Sequence, residues 1–334
     1  MRGRVAAAGL VAVLLAGCAG AQPPVPPPAP TGASSPIPAS PSTSAPAPTP
    51  TPTPSATPTA TPTVTTAWEP KGKWKLVLDS DFGGDRLPKQ WDHRLTDVYD
   101  AGGRWCSAPR KANLSLTGDS VRLTMSRASK ATARKVEPTA ERKQRRAGEK
   151  VVGCPDGVYD NAMISTEGRF SIQSGVVAAR VKFPIEQGAH AAVWLQSRQG
   201  QELDLIESYG FGRGISNVVH LKGRKIPKEG RDSWVADETV ADRQWWSQWH
   251  IVSLEWNRDR IVFRLDGEVT RELKVRTARA DYFLVLSLLS SDWETYRIAE
   301  PGARPPSGVD PAEVVKPELP FSMEVDWVRA WKKA

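Results

Sequence analysis

The chain has 334 residues, with 45 Lys and Arg against 37 Asp and Glu, four His and three Cys, for a formal net charge of +8. The histidines, at positions 93, 190, 220 and 250, are scattered and show no metal-ligand spacing, which argues against a metal hydrolase and predicts no required cofactor. A net of +6 of that charge falls in one segment, residues 127–150, so basicity is a local feature and not a property of the whole chain.

The first four residues, Met1-Arg2-Gly3-Arg4, are basic, and Val5 to Gly17 form an apolar run of thirteen. That is too short to cross a bilayer and suits a secretory signal. The run ends Leu15-Ala16-Gly17-Cys18, which resembles the lipobox of bacterial lipoproteins. The expectation is a signal peptide over residues 1–17, a lipidated Cys18 as the mature N-terminus, and a chain anchored at the outer face of a bacterial cell membrane. From Ala19 to Thr66 the chain is dominated by Pro, Ala, Thr and Ser and has no charged or aromatic residue. Such a segment has nothing to bury against its ordering entropy. Residues 18–66 therefore read as a disordered linker. In polyproline II geometry it reaches on the order of 150 Å, enough to extend the folded part into the cell wall. Nucleic acid is a poor partner for an exported, tethered chain.

Residues 67–334 read as one folded part, expected to be a monomer. Signals for short strands between turns fill it. Leu114-Ser115-Leu116 and Val121 to Met125 flank Gly118-Asp119 as a hairpin, and similar strands are predicted at 176–183, 191–195, 250–256, 261–265 and 282–289. No stretch keeps helical periodicity for three turns, so the fold class is all-β, a two-sheet sandwich or jelly roll. In an exported chain the pair Cys106 and Cys154 suggests a disulfide. It would close the base of the basic insertion at about 127–150, which lacks an apolar period and reads as a mobile loop. A sharper reading of those cations is a hold on anionic wall polymers or lipid headgroups.

Thirteen tryptophans against five tyrosines is a strong bias, and a flat indole suits both cores and the C–H faces of sugars. Trp74, Trp256 and Trp327 sit in apolar strand contexts and read as core. Trp194 and the cluster Trp245, Trp246 and Trp249 are the better candidates for a groove.

Just after Trp194 comes Gln201-Glu202-Leu203-Asp204-Leu205-Ile206-Glu207-Ser208-Tyr209-Gly210. On a strand, alternation puts Glu202 and Asp204 on one face, with Leu203 and Leu205 on the other. Strict alternation would turn Glu207 away, and one extra residue, taken to be Ile206 in a β-bulge, restores it to the acidic face. Two glutamates flanking an aspartate on one concave face meet the needs of retaining glycoside hydrolysis, with a nucleophile and an acid/base roughly 5 Å apart. Three carboxylates so close cannot all ionise freely, and the shared proton is expected mainly on Glu207.

The order of segments resembles glycoside hydrolase family 16. It runs from Leu78-Asp79-Ser80-Asp81-Phe82 with Trp91, through Gly175 to Lys182, Ala191 to Leu195 and the acidic strand. Trp249 to Trp256, Phe263 to Gly267 and Met323 to Arg329 then follow. The resemblance implies a concanavalin A-like β-jelly roll whose concave sheet carries the substrate groove, cleaving a polysaccharide internally with retention. By position it implies Glu202 as nucleophile, Asp204 as assisting acid and Glu207 as acid/base, in the bulged form typical of laminarinase-like branches. It points to Trp194, His190, His220 and Trp293 as substrate contacts, and to a possible structural calcium near Asp326. Two departures bear on substrate: Ala189-His190-Ala191 stands where relatives carry a Trp-Pro pair, and Ser287 where Asn is common. The first expectation is β-1,3- or β-1,3-1,4-glucan, with a galactan hydrolase or a wall transglycosylase as alternatives. A non-catalytic carbohydrate-binding protein is the alternative of another class.

Overall fold

The computed structural model describes residues 68–94, 104–148, 151, 153–154, 157–211, 214–223, 232–234, 240–291 and 318–334. The expected signal peptide, Cys18, the linker and Trp293 lie outside the described residues. The strands are β1 (Trp74–Asp81), β2 (Asp92–His93), β3 (Ser107–Pro109), β4 (Leu114–Leu116), β5 (Val121–Arg127), β6 (Tyr159–Ser165), β7 (Gly175–Lys182) and β8 (Ala189–Ser197). They continue with β9 (Gln201–Ser208), β10 (Ile215–Leu221), β11 (Asp232–Trp234), β12 (His250–Trp256), β13 (Ile261–Leu265), β14 (Glu268–Leu273), β15 (Tyr282–Ser290) and β16 (Phe321–Lys333). The helix α1 (Lys130–Ala147) lies between β5 and β6.

Two antiparallel layers result. The first runs β11-β10-β9-β8-β15-β6, and the second runs β5-β16-β7-β12-β13-β14, with β1 pairing β16 and β4 pairing β5. A short pairing of Ser126 with Asp160 and Arg127 with Tyr159 joins the layers at one edge. The fold is an all-β jelly-roll sandwich, as the strand spacing predicts. The predicted hairpin forms between β4 and β5, and β12 and β13 have the predicted limits.

Alternation builds the interior. Leu203, Leu205 and Ile206 of β9, Leu284 and Leu286 of β15, and Val252 and Leu254 of β12 all enter one core between the layers. Each fully buried aliphatic side chain contributes roughly 1.5–3 kcal/mol relative to exposure, so the apolar face fixes the register of each strand. A second cluster, with Met163, Ala192, Trp194, Phe283, Val285 and Leu289, covers the opposite, outer face of the first layer. A third lies on the outer face of the second layer, where Trp327 and Trp331 pack with Val176, Ala178 and Ile251 against Trp68 and Trp74. Of the three tryptophans read as core, Trp256 is buried between the layers, Trp327 is equally buried within the outer cluster, and Trp74 is half-buried against that cluster.

Two expectations fail. Residues 130–147 of the basic insertion form a helix instead of a mobile loop. The local chemistry explains it: Ser129 caps the N-terminus by accepting from the Thr132 amide, and Gly148 closes the C-terminus in the left-handed conformation. The apolar stripe is only Val136 and Ala140, continued by Gln144, all buried. Gln144 is held by Gly153, each donating to the other at 3.1 Å. Gly153 precedes Cys154, which forms a disulfide with Cys106, so the helix is fastened at its base. The second failure concerns Trp245, Trp246 and Trp249. Trp245 stacks on Phe183 and His250, Trp246 is buried and donates to the Val240 carbonyl, and Trp249 lies beneath Arg180 and Lys182 of β7. They pack with the second layer and its core, away from the acidic strand.

Candidate active site

The acidic strand β9 lies between β8 and β10. On the β8 side Ile206 pairs Val193 and Asp204 pairs Trp194, which leaves Leu205 without an opposite residue. On the β10 side the ladder shifts between Ser216, opposite Glu207, and Val218, opposite Asp204. The predicted bulge is present: against β8 the extra residue is Leu205 and not Ile206, while against β10 both Leu205 and Ile206 fall between the paired positions, facing Asn217. Both side chains enter the core, which takes two consecutive positions for the apolar face and returns Glu207 to the side of Glu202 and Asp204. The carbonyl of Leu205 accepts from Asn217 Nδ2 at 2.6 Å. Asn217 is buried, accepts from Thr270 Oγ1 at 2.8 Å through its own side-chain oxygen, and has its carbonyl bound by Arg271. A side chain from β10, braced from β14, thus satisfies the backbone group that the bulge releases.

The three acids are recessed to different depths. Side-chain exposure is 28% for Glu202, 4% for Asp204 and 13% for Glu207. Glu202 is flanked by Gln196 and His220 on the neighbouring strands. It accepts from Gln196 Nε2 at 3.3 Å, and His220 Nε2 lies 3.6 Å away. The same imidazole nitrogen is 3.8 Å from Asp204, so His220 bridges two acids. Gln196 is oriented in turn by Arg94, which donates to its Oε1 at 2.8 Å. Arg94 also lies over the rings of Trp194 and Phe283.

Glu207 is flanked by Ala192 and Ser216. Its Oε1 is 2.6 Å from His190 Nε2, and Ser216 Oγ donates weakly to Oε2 at 3.4 Å. His190 is buried, stacks on Tyr209 at 4.9 Å between centroids, and accepts at Nδ1 from Arg104 Nε at 2.7 Å. Gly210 makes this possible: with φ near 90° it lies against the Glu186 carbonyl, where an added Cβ would come within 2.2 Å. That close approach ends β9 and seats Tyr209 over the imidazole.

These neighbours shift the two glutamates in opposite directions. Burial pushes Glu202 above the ordinary carboxylate range and the charge of Glu207 adds to the rise, against the pull of His220 and Arg104. Burial alone would raise Glu207 as well, but the contact with His190, then Arg104 and His220, outweigh it and hold Glu207 below that range. Burial, then Arg104, keep His190 itself below the usual imidazole range. The surroundings thus set the two glutamates apart, Glu202 above the ordinary carboxylate range and Glu207 below it. The sequence reading counted acids and could not see the cation and imidazole brought in from other segments.

Of the expected substrate contacts, His220 lies among the acids, while Trp194 and His190 sit deeper. Trp194 is 4% exposed and donates its indole N–H to Ser287 Oγ at 3.1 Å, so Ser287 serves the floor of the site. His190 is too enclosed to be a sugar platform. Missed by the sequence reading were Gln196, Ser216, Arg94, Arg104 and Asn217. Alternation from Trp194 places Gln196 on the same face, which was a usable signal; Arg94 follows β2, Arg104 lies ahead of β3, and neither carries a local signal. At Asp326, where a structural calcium was expected, Oδ2 accepts from Arg180 at 2.6 Å and the carbonyl from the Phe82 amide, so a cation there would share the carboxylate with a guanidinium.

The family description Glycosyl hydrolases family 16 matches residues 107–309, more than half of the chain. No curated protein matches. Among solved structures, the chain is similar to a non-specific endo-β-1,3(4)-glucanase, SCLam, at 19% identity over 80% of this chain and 95% of that one, with a TM-score of 0.57. The catalytic domain of an endo-1,3-β-glucanase (laminarinase) from Thermotoga petrophila RKU-1 is 17% identical over 78% of this chain and 98% of its own, with a TM-score of 0.56. An endo-acting O-glycanase from the human gut microbiota is 18% identical over 79% and 92%, with a TM-score of 0.54. At these identities the likeness shows the fold.

Proposed function

The chain belongs to glycosyl hydrolase family 16, and from that premise we propose that it is a retaining endo-β-glycanase. The observation that carries the proposal is the bulge at Leu205, which gathers Glu202, Asp204 and Glu207 on one recessed face. Glu202 attacks the anomeric carbon as the glycosidic C–O bond breaks, and the proton of Glu207 goes to the leaving oxygen. Water then attacks the glycosyl ester, gives its proton to Glu207 and releases Glu202 with the original configuration restored. Asp204, beside Glu202 and under His220, holds the nucleophile in place. Because its neighbours hold Glu207 below the ordinary carboxylate range, proton donation from it is favoured when bound substrate alters those neighbours.

For substrate, β-1,3- or β-1,3-1,4-glucan is the first reading, supported by what the similar glucanases are named for. A second reading, a glycan other than a plain glucan, is favoured by His190, which occupies the Trp position of many relatives without offering a platform. A product screen of the purified full chain over laminarin, mixed-linkage glucan, galactan, mucin O-glycans and isolated wall polysaccharide separates the two. Oligosaccharides from one polymer identify the substrate, and products longer than the donor reveal transglycosylation. Binding without cleavage of any polymer would establish the lectin reading instead.

Export and lipidation at Cys18, with anchoring through a spacer of residues 18–66, complete the proposal on the strength of the Leu15-Ala16-Gly17-Cys18 run. Cys18→Ala should move the protein from the membrane fraction to the medium; continued membrane retention would contradict it.

A further inference from the structure

His190 has a polar neighbour close to each ring nitrogen, Arg104 Nε at Nδ1 and Glu207 Oε1 at Nε2. A guanidinium donates and cannot accept, so the 2.7 Å contact from Arg104 Nε makes Nδ1 an acceptor. The ring proton is then at Nε2, which lies 2.6 Å from Glu207 Oε1. Stacking on Tyr209 at 11° fixes the ring plane. We propose that His190 is a positioning residue for Glu207: locked by Arg104 into the Nε2–H tautomer, it holds Oε1 as an acceptor and assigns proton transfer to Oε2.

The inference rests on Glu207 as the acid/base, but the 2.6 Å contact with His190 exists without substrate. An imidazole N–H at 2.6 Å from Oε1 disfavours a proton on that oxygen, and the other oxygen meets the longer contact from Ser216 Oγ. In the first step the proton leaves Oε2 for the glycosidic oxygen, and the carboxylate that forms is already solvated by the imidazole N–H. In the second step Oε2 takes a proton from the attacking water. His190 thus strengthens Glu207 as an acid at the expense of its strength as a base. The remaining groups that bear on Glu207 are Glu202 and Asp204 on its own strand, His220 on β10, and Arg104 ahead of β3. His220 and Arg104 also bear on the nucleophile Glu202. Arg104 reaches the site from two residues before Cys106, whose disulfide to Cys154 ties that segment to the base of α1. The basic insertion, far from the acids in sequence, therefore braces the segment that sets the tautomer.

The test is NMR on the full chain. Nitrogen-15 shifts of His190 should show Nδ1 bare and Nε2 protonated at neutral pH. Carboxyl carbon-13 titration should show Glu207 rising by about one pH unit in His190→Phe, which keeps the stack on Tyr209 and removes the N–H. His190→Gln, which restores a donor, should return the midpoint toward the parent value. Arg104→Gln, a change outside the strands, should mix the tautomers and raise Glu207 by less. On a polymer that is cut, the centre of the kcat/KM profile should move to higher pH by about half the Glu207 rise, because it averages two ionisations. An Nδ1–H tautomer, or a Glu207 midpoint unmoved in both His190→Phe and Arg104→Gln, overturns the proposal. A profile that only falls in height, with no shift in pH, also overturns it and leaves His190 a packing residue. If the titrations shift as expected while no glycan is cut, the hydrogen-bond assignment stands and the proposed reaction fails.

Discussion

The acidic face of β9 and the cationic face of α1 are both charged surfaces, and they are built in opposite ways. On β9 the carboxylates are recessed, and each meets a specific neighbour: Gln196 and His220 for Glu202, His220 for Asp204, His190 and Ser216 for Glu207. On α1, Lys130, Arg134, Lys135, Arg142, Arg145 and Arg146 are exposed, and at 100° per residue they span the arc opposite Val136, Ala140 and Gln144. There Arg145 meets Glu141 at 3.5 Å with side-chain exposures of 66% and 46%, where solvent screens the pair. Charge held in a recess is set by individual partners, so single substitutions should matter. Charge spread over an exposed helix is collective and screened, so they should not.

The largest effect separating the two should come from Glu202→Gln. It keeps the shape of the strand and removes the nucleophile, so turnover should fall by roughly 10⁴-fold with an unchanged melting temperature. Turnover within tenfold of the parent would sink the role of Glu202. Next is Asn217→Ala, which leaves the Leu205 carbonyl buried without its 2.6 Å donor. Stability should drop by about 1–3 kcal/mol in denaturant titration, and turnover should fall as Glu207 loses its placement. Lost stability with full turnover would mean that the bulge holds without this clamp. The smallest effect should follow Arg134→Glu with Arg142→Glu on α1. Stability should change by about 0.5 kcal/mol or less, while retention on an anionic polymer matrix should weaken at low salt and converge with the parent at high salt. Equal retention at low salt would leave the helix a plain solvated face.

The same contrast governs what the sequence made legible. The acids on β9 were readable because Leu203, Leu205 and Ile206 have to be buried, and two consecutive apolar positions demand a bulge. How the two are paired was not readable, because it depends on Val193 and Asn217 of the neighbouring strands. The helix was not readable because its buried stripe is two small or branched residues and a glutamine, too thin for a periodicity search, although Ser129 and Gly148 mark both ends. His190 was singled out by type, but its function depends on Arg104, 86 positions earlier, and no local pattern joins the two. Trp245, Trp246 and Trp249 misled because a tryptophan cluster is equally suited to a sugar face and to the back of a sheet.

The central claim is that the bulged β9 strand places a nucleophile and an acid/base for double displacement. Proton NMR of the first products released from a cut polymer by the full chain tests it most directly. The β-anomer should appear first, with the α-anomer growing in only at the rate of mutarotation. Initial release of the α-anomer would contradict it, because a water and not Glu202 would then have attacked the anomeric carbon.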